Sequence, residues 1–397
     1  MKKLLLASAA TAAMTASAFA GSHSEEVKIG IILGFTGPIE SLTPSMADGA
    51  ELAIKEVSDS GLLLGGRTVT SVRADSTCID AGAATAAAER LITSDGVKGI
   101  MGADCSGVTG AILANVAVPN GVVMISPSAT SPALSTAEDN GLFFRTAPSD
   151  ARQGVVMAEI LLEAGIQEVA VTYTNNDYGK GLADSFEAAY VERGGTVTLN
   201  AAHEDGKADY SAEVGALASA GGDRLVVAGY VDQGGSGVVR AALDSGAFDT
   251  FHFPDGMISA ALEANFGSEI DGSTGQHPGT DSEGASVFVD LVAGAFDATS
   301  PFTPESYDAA ALILLAMQAA GSDDPAVYKD HVFHVANAPG EPILPGELAK
   351  ALQIIADGGD IDYVGATAVE LIGPGESAGN YRQIEVKDGV ISTVQFR

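Results

Sequence analysis

Short apolar runs alternate along this chain with segments whose apolar positions recur at helical spacing. The first run, residues 27–33, predicts a buried strand, and Met46, Ala50, Ile54 and Val57 then fall on one face of a predicted helix. Further strands are predicted at 68–74, 97–101, 122–125, 168–173, 196–201, 224–229 and 250–253, with a last hairpin at 383–386 and 390–394. The predicted helices are 45–60, 82–93, 107–117, 152–164, 179–193, 210–220, 234–245 and 304–320.

Two sets of this alternation, separated near Asp150, predict an α/β fold of two doubly wound, Rossmann-like lobes with parallel sheets. Loop-like stretches at 146–149 and 275–280, and a further crossing near Tyr363–Val364, predict a hinge made of several strands. We hypothesise that a ligand closes the lobes about this hinge. Lobe 1 is expected over residues 27–145 and 280–363, and lobe 2 over 148–276 and 364–397.

The first twenty residues have the features of a signal peptide. Lys2 and Lys3 provide a basic start, an apolar stretch follows, and Ala18-Phe19-Ala20 is an A-x-A cleavage site. An N-terminal membrane helix is the alternative, but the stretch is short of the ~20 strongly apolar residues that a span needs. We therefore predict a soluble protein that is exported and begins near Gly21.

The net charge of the chain limits the classes of molecule that it can bind. The 397 residues carry 52 acidic and 20 basic side chains, which gives a formal net charge of −32. No basic run interrupts this acidity, so nucleic acids and anionic membrane surfaces would be repelled. The length suits two domains of ordinary size.

Cys78 and Cys105 are the only cysteines of the sequence. An oxidising compartment outside the cytoplasm favours a disulfide between them, which would hold together the loops that follow two neighbouring strands. A catalytic thiol is the alternative, although no histidine lies close by in the sequence.

Small hydroxyl residues follow two of the predicted strands. Residues 102–106 come directly after one apolar run and residues 126–132 after the next. The carboxyl ends of neighbouring parallel strands are where open α/β sheets bind ligands, and the backbone N–H groups of the helices that begin there favour anions. The pattern predicts a site for a small carboxylate.

Sequence patterns of common enzyme classes are missing. The sequence contains no G-x-x-x-x-G-K-[ST] loop and no G-x-S-x-G elbow, and Gly234-Gly235-Ser236-Gly237 only loosely matches a dinucleotide loop. His331 and His334 could share a metal ion, but a solvated helix face is the better interpretation, since no further ligand lies close by. We expect no catalytic residue, no metal and no cofactor.

Several short motifs match one known family over nearly the whole mature chain. They are Lys28-Ile29-Gly30, Thr36-Gly37-Pro38, Asp104-Cys105-Ser106, residues 125–132, Arg145-Thr146-Ala147-Pro148, residues 176–181, Gly229-Tyr230 and Pro254-Asp255-Gly256. With these motifs the chain resembles the Leu/Ile/Val-binding proteins of bacterial ABC importers, which have the type I periplasmic-binding fold. The resemblance implies a periplasmic, monomeric protein that carries a small amino acid to a permease in the inner membrane.

The resemblance also implies a set of ligand-binding residues in lobe 1. Ser106 and Thr130 would offer hydroxyl groups, and the backbones of Ser128 and Thr130 further hydrogen bonds, to the carboxylate and amino group of the ligand. Phe302 would line the pocket for the ligand's side chain. The family's disulfide falls on Cys78 and Cys105, in agreement with the export argument.

Lobe 2 would supply the rest of the site. Tyr178 would cover the ligand, Tyr230 would lie beside its amino group, and Asp255 would pair with its ammonium. Each residue also has a purely structural interpretation: Ser106 and Thr130 as helix caps, Tyr178 and Tyr230 as aromatics that pack the lobes, and Phe302 as a core residue.

Two departures from the family pattern leave the ligand class open. Many relatives carry an aromatic residue where this chain has Glu40-Ser41-Leu42, and Asp255 is one methylene shorter than the usual glutamate. A small carboxylate without an amino group, such as an aromatic acid, or an amide is therefore the alternative ligand. A ligand sensor and an enzyme on the same scaffold are alternative functions.

Overall fold

The computed structural model describes residues 26–397, and in this part the apolar runs form sixteen strands. Seven of them form each of two sheets, and β11 (Glu341–Ile343) pairs with β12 (Ile361–Tyr363) in a small third sheet. The first sheet contains β1 (Val27–Leu33), β2 (Val69–Asp75), β3 (Gly99–Gly102), β4 (Met124–Ser126), β5 (Phe143–Pro148), β13 (Leu371–Ile372) and β14 (Glu376–Ser377). The second contains β6 (Glu168–Thr174), β7 (Thr196–His203), β8 (Arg224–Ala228), β9 (Phe251–Phe253), β10 (Thr274–Pro278), β15 (Tyr381–Lys387) and β16 (Val390–Phe396).

Helices connect the strands and cover the sheets. They are α1 (Thr43–Ser60), α2 (Ala81–Arg90), α3 (Ser106–Ile112), α4 (Val118–Asn120), α5 (Asp150–Glu163), α6 (Asp177–Glu192), α7 (Ser211–Ala220), α8 (Gly234–Ser245), α9 (Ala260–Phe266), α10 (Glu283–Val292), α11 (Thr303–Ala320), α12 (Pro325–Tyr328), α13 (Val332–Ala336) and α14 (Leu348–Ala356). Leu91–Asp95 and Leu113–Ala117 are π-turns that extend α2 and α3.

Both sheets have the same strand order at their centre. The first runs β2-β1-β3-β4-β5 and the second β7-β6-β8-β9-β10, all parallel. In such doubly wound sheets the connections leave in opposite directions on either side of the first strand, and ligands bind at the crevice that this reversal leaves. The two crevices lie between β1 and β3 and between β6 and β8. The prediction of two doubly wound α/β lobes is confirmed.

The chain passes between the lobes three times: from β5 to α5, from β10 to α10, and between β14 and β15. The sequence pattern predicts the third crossing near Tyr363–Val364 and assigns residues 364–397 to lobe 2. The structure differs, since β13 and β14 within that range pair with the first sheet. Strands of two residues leave no period in a sequence, so only their pairing reveals them.

Strand β10 is a second difference, because its residues have the composition of a loop. Gln276 and His277 are nevertheless buried, since β10 lies between β9 and β15 and its polar side chains find partners inside the protein. Gly275 permits the close approach to β9: a Cβ there would lie 2.3 Å from the carbonyl oxygen of Phe253. The stretch 275–280 is therefore largely strand and hinge.

Helix α11 is the centre of the lobe 1 core. It is buried on all sides and mostly apolar beyond its first two turns, as expected for a helix surrounded by protein, and it packs against α1, α13, α14 and the first sheet. Buried side chains such as Leu312, Ile313 and Leu315 each contribute roughly 1.5–3 kcal/mol of burial free energy. This packing holds the N-terminus of α11, where Phe302 precedes the helix, in place beside the cleft.

The two lobes touch across the mouth of the cleft. The Asp232 N–H donates to the carbonyl oxygen of Pro38 at 3.1 Å, and its carboxylate accepts from the Ser41 N–H at 2.8 Å. The Ser41 and Ser259 hydroxyl oxygens are 3.4 Å apart. These contacts join residues about two hundred positions apart and hold the cleft in a closed form.

The predicted signal peptide, residues 1–20, lies outside the residues that the structure describes. Among residues 26–397, no helix combines the length and apolar character that crossing a membrane requires.

Candidate functional site

A narrow cavity of about 20 Å³ lies between the lobes, at the crevices of both sheets. Six of the seven predicted ligand-binding residues line it, and Thr130 lies behind its wall. The lining residues are Ile39, Leu42, Asp104, Cys105, Ser106, Ser128, Tyr178, Tyr230, Asp255, Gly256 and Phe302.

One wall is the loop that joins β3 to α3. A disulfide between Cys78 and Cys105 ties this loop to the one that follows β2, so the predicted pairing is confirmed and neither residue is a free thiol. Ser106 is the first residue of α3, and its hydroxyl oxygen accepts a hydrogen bond from the Ser131 N–H at 3.1 Å. The Ser106 hydroxyl keeps its own proton, which it can donate into the cavity.

The loop after β4 is fixed from below by a buried arginine. Arg145 donates from Nη1 to the carbonyl oxygens of Ala129 and Ser131, both at 2.9 Å, and its charge is balanced by Glu376. The loop consequently holds Ser128 and Thr130 in set positions. The Ser128 hydroxyl donates to the Asp104 carbonyl oxygen at 3.1 Å. The buried Thr130 hydroxyl faces the Asp150 carboxyl and opposes the rise of its pKa, although the pair lacks good hydrogen-bond geometry.

The aromatic wall comes from lobe 2. Asn176 caps α6 by accepting from the Gly179 N–H at 3.0 Å, which sets Tyr178 on the first turn of the helix. Gly179 is required there, because a Cβ would lie 2.2 Å from the Thr174 carbonyl oxygen. The ring of Tyr178 stacks on that of Tyr230, with centroids 5.1 Å apart and planes 16° from parallel. Together the two rings form a flat cover.

Asp255 is buried and accepts three hydrogen bonds from the protein. Its Oδ1 accepts from the Tyr178 hydroxyl at 2.6 Å and from the Gly256 N–H at 2.8 Å, and its Oδ2 accepts from Gln153 Nε2 at 2.9 Å. A carboxylate has about four acceptor directions. One direction on Oδ2 thus stays available to a ligand.

A second buried carboxyl lies behind the first. Gln153 Nε2 also donates to Asp150 Oδ1 at 2.6 Å, so one amide bridges Asp150 and Asp255. Burial raises the pKa of the Asp255 carboxyl, against the opposing effect of its hydrogen bonds. Burial, and then the nearby charge of Asp255, raise the pKa of Asp150 further. Two such groups resist simultaneous ionisation until a cation joins them.

The cavity as a whole is acidic. Asp104 lines it, accepts from the Ser76 hydroxyl at 2.8 Å, and has a pKa that burial raises. Burial also raises the pKa values of Tyr178 and Tyr230, so both rings keep their hydroxyl protons. No lysine or arginine is among the lining residues, all of which lie within residues 26–397. The electrostatics favour a ligand with a positive group.

The remaining wall is apolar. Ile39 and Leu42 come from the loop after β1, and Phe302 precedes α11 with a φ of 67°. Such a backbone angle is uncommon outside glycine, and the Phe302 carbonyl oxygen accepts from the N–H and the hydroxyl of Ser306 in the first turn of α11. The apolar wall faces the acidic one across the cavity, as a ligand with one charged and one apolar end requires.

Sequence reasoning missed the residues that support the site. Gln153 and Asp150 lie on α5, away from every motif, and Arg145 was part of a motif without an assigned role. Leu42 was noted only as a departure from a family pattern, yet it lines the cavity. His331 and His334 lie apart from the cleft; His334 approaches Asp360 at 3.3 Å, with both side chains more than half exposed. Within residues 26–397 no cluster of three metal-ligating side chains occurs.

The family model described as periplasmic binding protein matches residues 26–331. The Leu/Ile/Val-binding protein homolog 1 of Brucella melitensis is 31% identical over 331 residues, which are 82% of this chain and 86% of that protein.

Solved structures agree with the architecture. The branched-chain amino acid transporter substrate binding protein LivJ from Streptococcus pneumoniae, in complex with isoleucine, has a TM-score of 0.76 at 20% identity and covers 93% of this chain and 99% of its own. An ABC transporter solute binding protein from R. palustris, in complex with benzoate, has a TM-score of 0.75 at 20% identity and covers 94% and 96%. At these identities the two likenesses show the fold.

Proposed function

The chain belongs to the periplasmic binding protein family, a family of solute-binding proteins and not of enzymes, and on this premise we propose that it binds a small apolar amino acid between its lobes. It then delivers the amino acid to the permease of an ABC importer. The observation that supports the amino acid most directly is Asp255, a buried carboxyl with one open acceptor direction in a cavity without a basic side chain.

The ammonium of the ligand binds to Asp255. A charge-assisted hydrogen bond of this kind contributes roughly 1.5–3 kcal/mol. Its formation favours the ionised form of Asp255, although burial has raised the pKa of that carboxyl. The stacked rings of Tyr178 and Tyr230 lie beside the ammonium and exclude water from the bond.

The carboxylate of the ligand binds to lobe 1. The Ser106 hydroxyl has a proton to donate, and the Thr130 hydroxyl, which faces the Asp150 carboxyl, is the second donor that we propose. Backbone N–H groups at the start of α3 add to the field that favours an anion. The two ends of a zwitterionic ligand therefore contact different lobes, and binding holds the lobes closed.

The side chain of the ligand lies against Ile39, Leu42 and Phe302. Each of these walls is aliphatic or aromatic, and burying a side chain of leucine size there contributes about 1.5–3 kcal/mol. The relatives named Leu/Ile/Val-binding proteins are consistent with such a ligand.

The same proposal includes the location of the protein and the permease with which it works. Residues 1–20 act as a signal peptide, the mature protein works as a monomer in the periplasm, and the closed form docks on an inner-membrane permease. The disulfide supports an oxidising compartment.

A small aromatic carboxylate is the second candidate ligand. One structural relative was solved with benzoate, and Asp255 is already satisfied by three protein donors, so the site does not depend on an ammonium for hydrogen bonding. A ligand without an amino group leaves Asp255 with these three protein donors as its partners.

Thermal unfolding of the mature protein against a ligand panel tests the proposal. The panel contains the twenty amino acids, benzoate, other short-chain and aromatic carboxylates, and small amides. A ligand at a hundred times its Kd adds about 2.7 kcal/mol to the free energy of unfolding, which raises Tm by several degrees. We expect apolar amino acids to give this shift. A shift from benzoate alone would support the second candidate, and no shift from any compound would contradict both.

A further inference from the structure

A second and larger cavity lies beside the hinge. It has a volume of about 380 Å³, opens to solvent, and is separated from the cleft by Phe302, which lines both cavities. Lobe 1 contributes α10 and the start of α11, the hinge contributes residues 277–281, and lobe 2 contributes β15 and β16. The cavity is therefore built at the place where the lobes meet.

Its walls are mostly apolar. Val289, Ala298, Phe302, Pro304 and Phe396 form them. Val289 is 44% exposed at the edge of the cavity, where a side chain of this kind gains by contact with an apolar molecule.

One basic side chain in this cavity lacks an acidic partner. Arg382 is half-buried on β15, where it lies opposite His277 of β10 and Phe396 of β16. Its Nε donates to the Thr393 hydroxyl at 2.7 Å. No carboxylate within residues 26–397 lies at ion-pair distance from its guanidinium.

Other arginines away from the surface meet their charge in different ways. Arg145 is almost fully buried and contacts the Glu376 carboxylate. Arg224 is half-buried like Arg382, and within residues 26–397 it donates to the Thr274 hydroxyl and the Gly272 carbonyl oxygen and forms no ion pair. The chain carries 52 acidic side chains against 20 basic ones, so an unpaired arginine is not a result of scarce acids. A guanidinium presents parallel donors that suit a carboxylate.

The acidic groups near Arg382 do not bind its guanidinium directly and would repel a bound carboxylate only weakly. Burial raises the pKa of the Glu305 carboxyl to about 8, so this group is mostly neutral at pH 7, and its Oε2 has no hydrogen-bond partner within residues 26–397. Asp281 is exposed in the wall of the cavity, where water screens it. Asp297 is exposed near Arg382, and its charge partly opposes the lowering of the Arg382 pKa by burial. His277 is buried and, with a pKa lowered to about 3 by burial, neutral.

We propose that the hinge cavity is a second binding site, which takes a small molecule with an apolar body and one carboxylate. Arg382 binds the carboxylate through its free guanidinium nitrogens, and the apolar body lies against Val289, Phe302 and Phe396. The site is separate from the cleft and does not depend on which ligand the cleft takes.

Isothermal titration calorimetry of the full exported protein with octanoate tests this site. We expect one equivalent of octanoate to bind, and Arg382→Gln to weaken the binding by about tenfold or more, because the charge-assisted pair is lost. Arg240→Gln is the matched control: Arg240 is an exposed arginine of the same lobe, paired with Glu269, and its loss should leave octanoate binding unchanged. Octylamine, which has the same tail and a positive head, should not bind there.

A second variant covers the case in which Arg382→Gln does not fold. Val289→Glu adds a carboxylate at an exposed position of the cavity wall and should also weaken octanoate binding by about tenfold. Equal affinity in wild type, Arg382→Gln and Val289→Glu would place octanoate elsewhere and overturn the proposal, as would the absence of binding at millimolar octanoate. Neither variant should change the thermal shift given by a cleft ligand, so failure of this site and failure of the proposed function can be told apart.

Discussion

The hydroxyl of Tyr178 donates to Oδ1 of Asp255 across 2.6 Å, and this bond joins the first turn of α6 to the segment after β9, 77 residues further along the chain. The same hydroxyl accepts from the Gly256 N–H at 3.2 Å, and the ring stacks on Tyr230. The acidic group of the cleft is thus held by an aromatic residue of a different element. Tyr178, which covers the cavity, and Asp255, the proposed partner of the ligand's ammonium, are therefore coupled. A change in either residue should affect ligand affinity.

Tyr178→Phe removes this donor and keeps the stacked ring. We expect the affinity for an apolar amino acid to fall about tenfold or more, since a hydrogen bond to a charged group contributes about 1.5–3 kcal/mol. Titration calorimetry measures the change. Tyr190→Phe is the control: its hydroxyl bonds to the Ile166 carbonyl oxygen within lobe 2, so the variant should lose about 1 kcal/mol of stability and no affinity. Unchanged affinity in Tyr178→Phe would show that the bond to Asp255 has no role in binding.

Asp255→Asn tests the anchor itself. For a ligand with an ammonium, we expect a loss of roughly 2 kcal/mol or more in binding free energy, because the amide carries no charge. For benzoate the loss should be small. Competition between the two ligand classes in a binding assay measures the difference, and Asp271→Asn, at an exposed position of the same lobe, controls for the change of net charge. Equal losses for both classes would contradict the assigned role.

Glu305→Gln should change how stability depends on pH. The folded protein raises the pKa of Glu305 from 4.5 to about 8 by burial. A raised pKa stabilises the fold fully below the unfolded value, and this contribution is lost as the pH rises through about 8. Glutamine cannot ionise, so the free energy of unfolding should decline less between pH 5 and pH 9 in the variant. Urea unfolding at both pH values measures it, and parallel declines in the two proteins would rule out this titration.

Removal of the disulfide should reduce stability and affinity together. Cys78 and Cys105 are 27 positions apart, and opening a loop of this length costs roughly 3–4 kcal/mol in the chain-entropy model. The double variant Cys78→Ser with Cys105→Ser avoids a free thiol. We also expect weaker ligand binding, since Ser106 follows Cys105 directly. Chemical unfolding and calorimetry measure the two effects; an unchanged free energy of unfolding would contradict the first.

Local features of the fold were predictable because they leave a period in the sequence. The strand predicted at 27–33 is β1, and the helix predicted at 234–245 is α8. The strand β10 was not predictable in this way. Its glutamine, histidine, glycine and proline have the composition of a loop, and they form a strand because β9 and β15 supply partners on both sides.

The candidate site also contains residues that the sequence indicated and residues that it did not. Family motifs placed Ser106, Tyr178 and Asp255 on the loops that do line the cleft. No motif indicated Gln153, which contacts Asp255 across 102 residues. Thr130 lies within a family motif, yet it is not among the residues that line the cavity. Its role in ligand binding stays a prediction.

The sequence by itself determined the alternation of strands and helices, the two lobes, the pairing of the cysteines, and the loops that carry hydroxyl and acidic groups. Periodicity and short motifs record these features because they depend on residues close together in the chain. Only the tertiary structure decided which side chains meet: Gln153 between Asp150 and Asp255, and Arg382 beside Thr393 in the hinge cavity. Those contacts depend on strand order and on how the lobes pack together, and no local pattern encodes either.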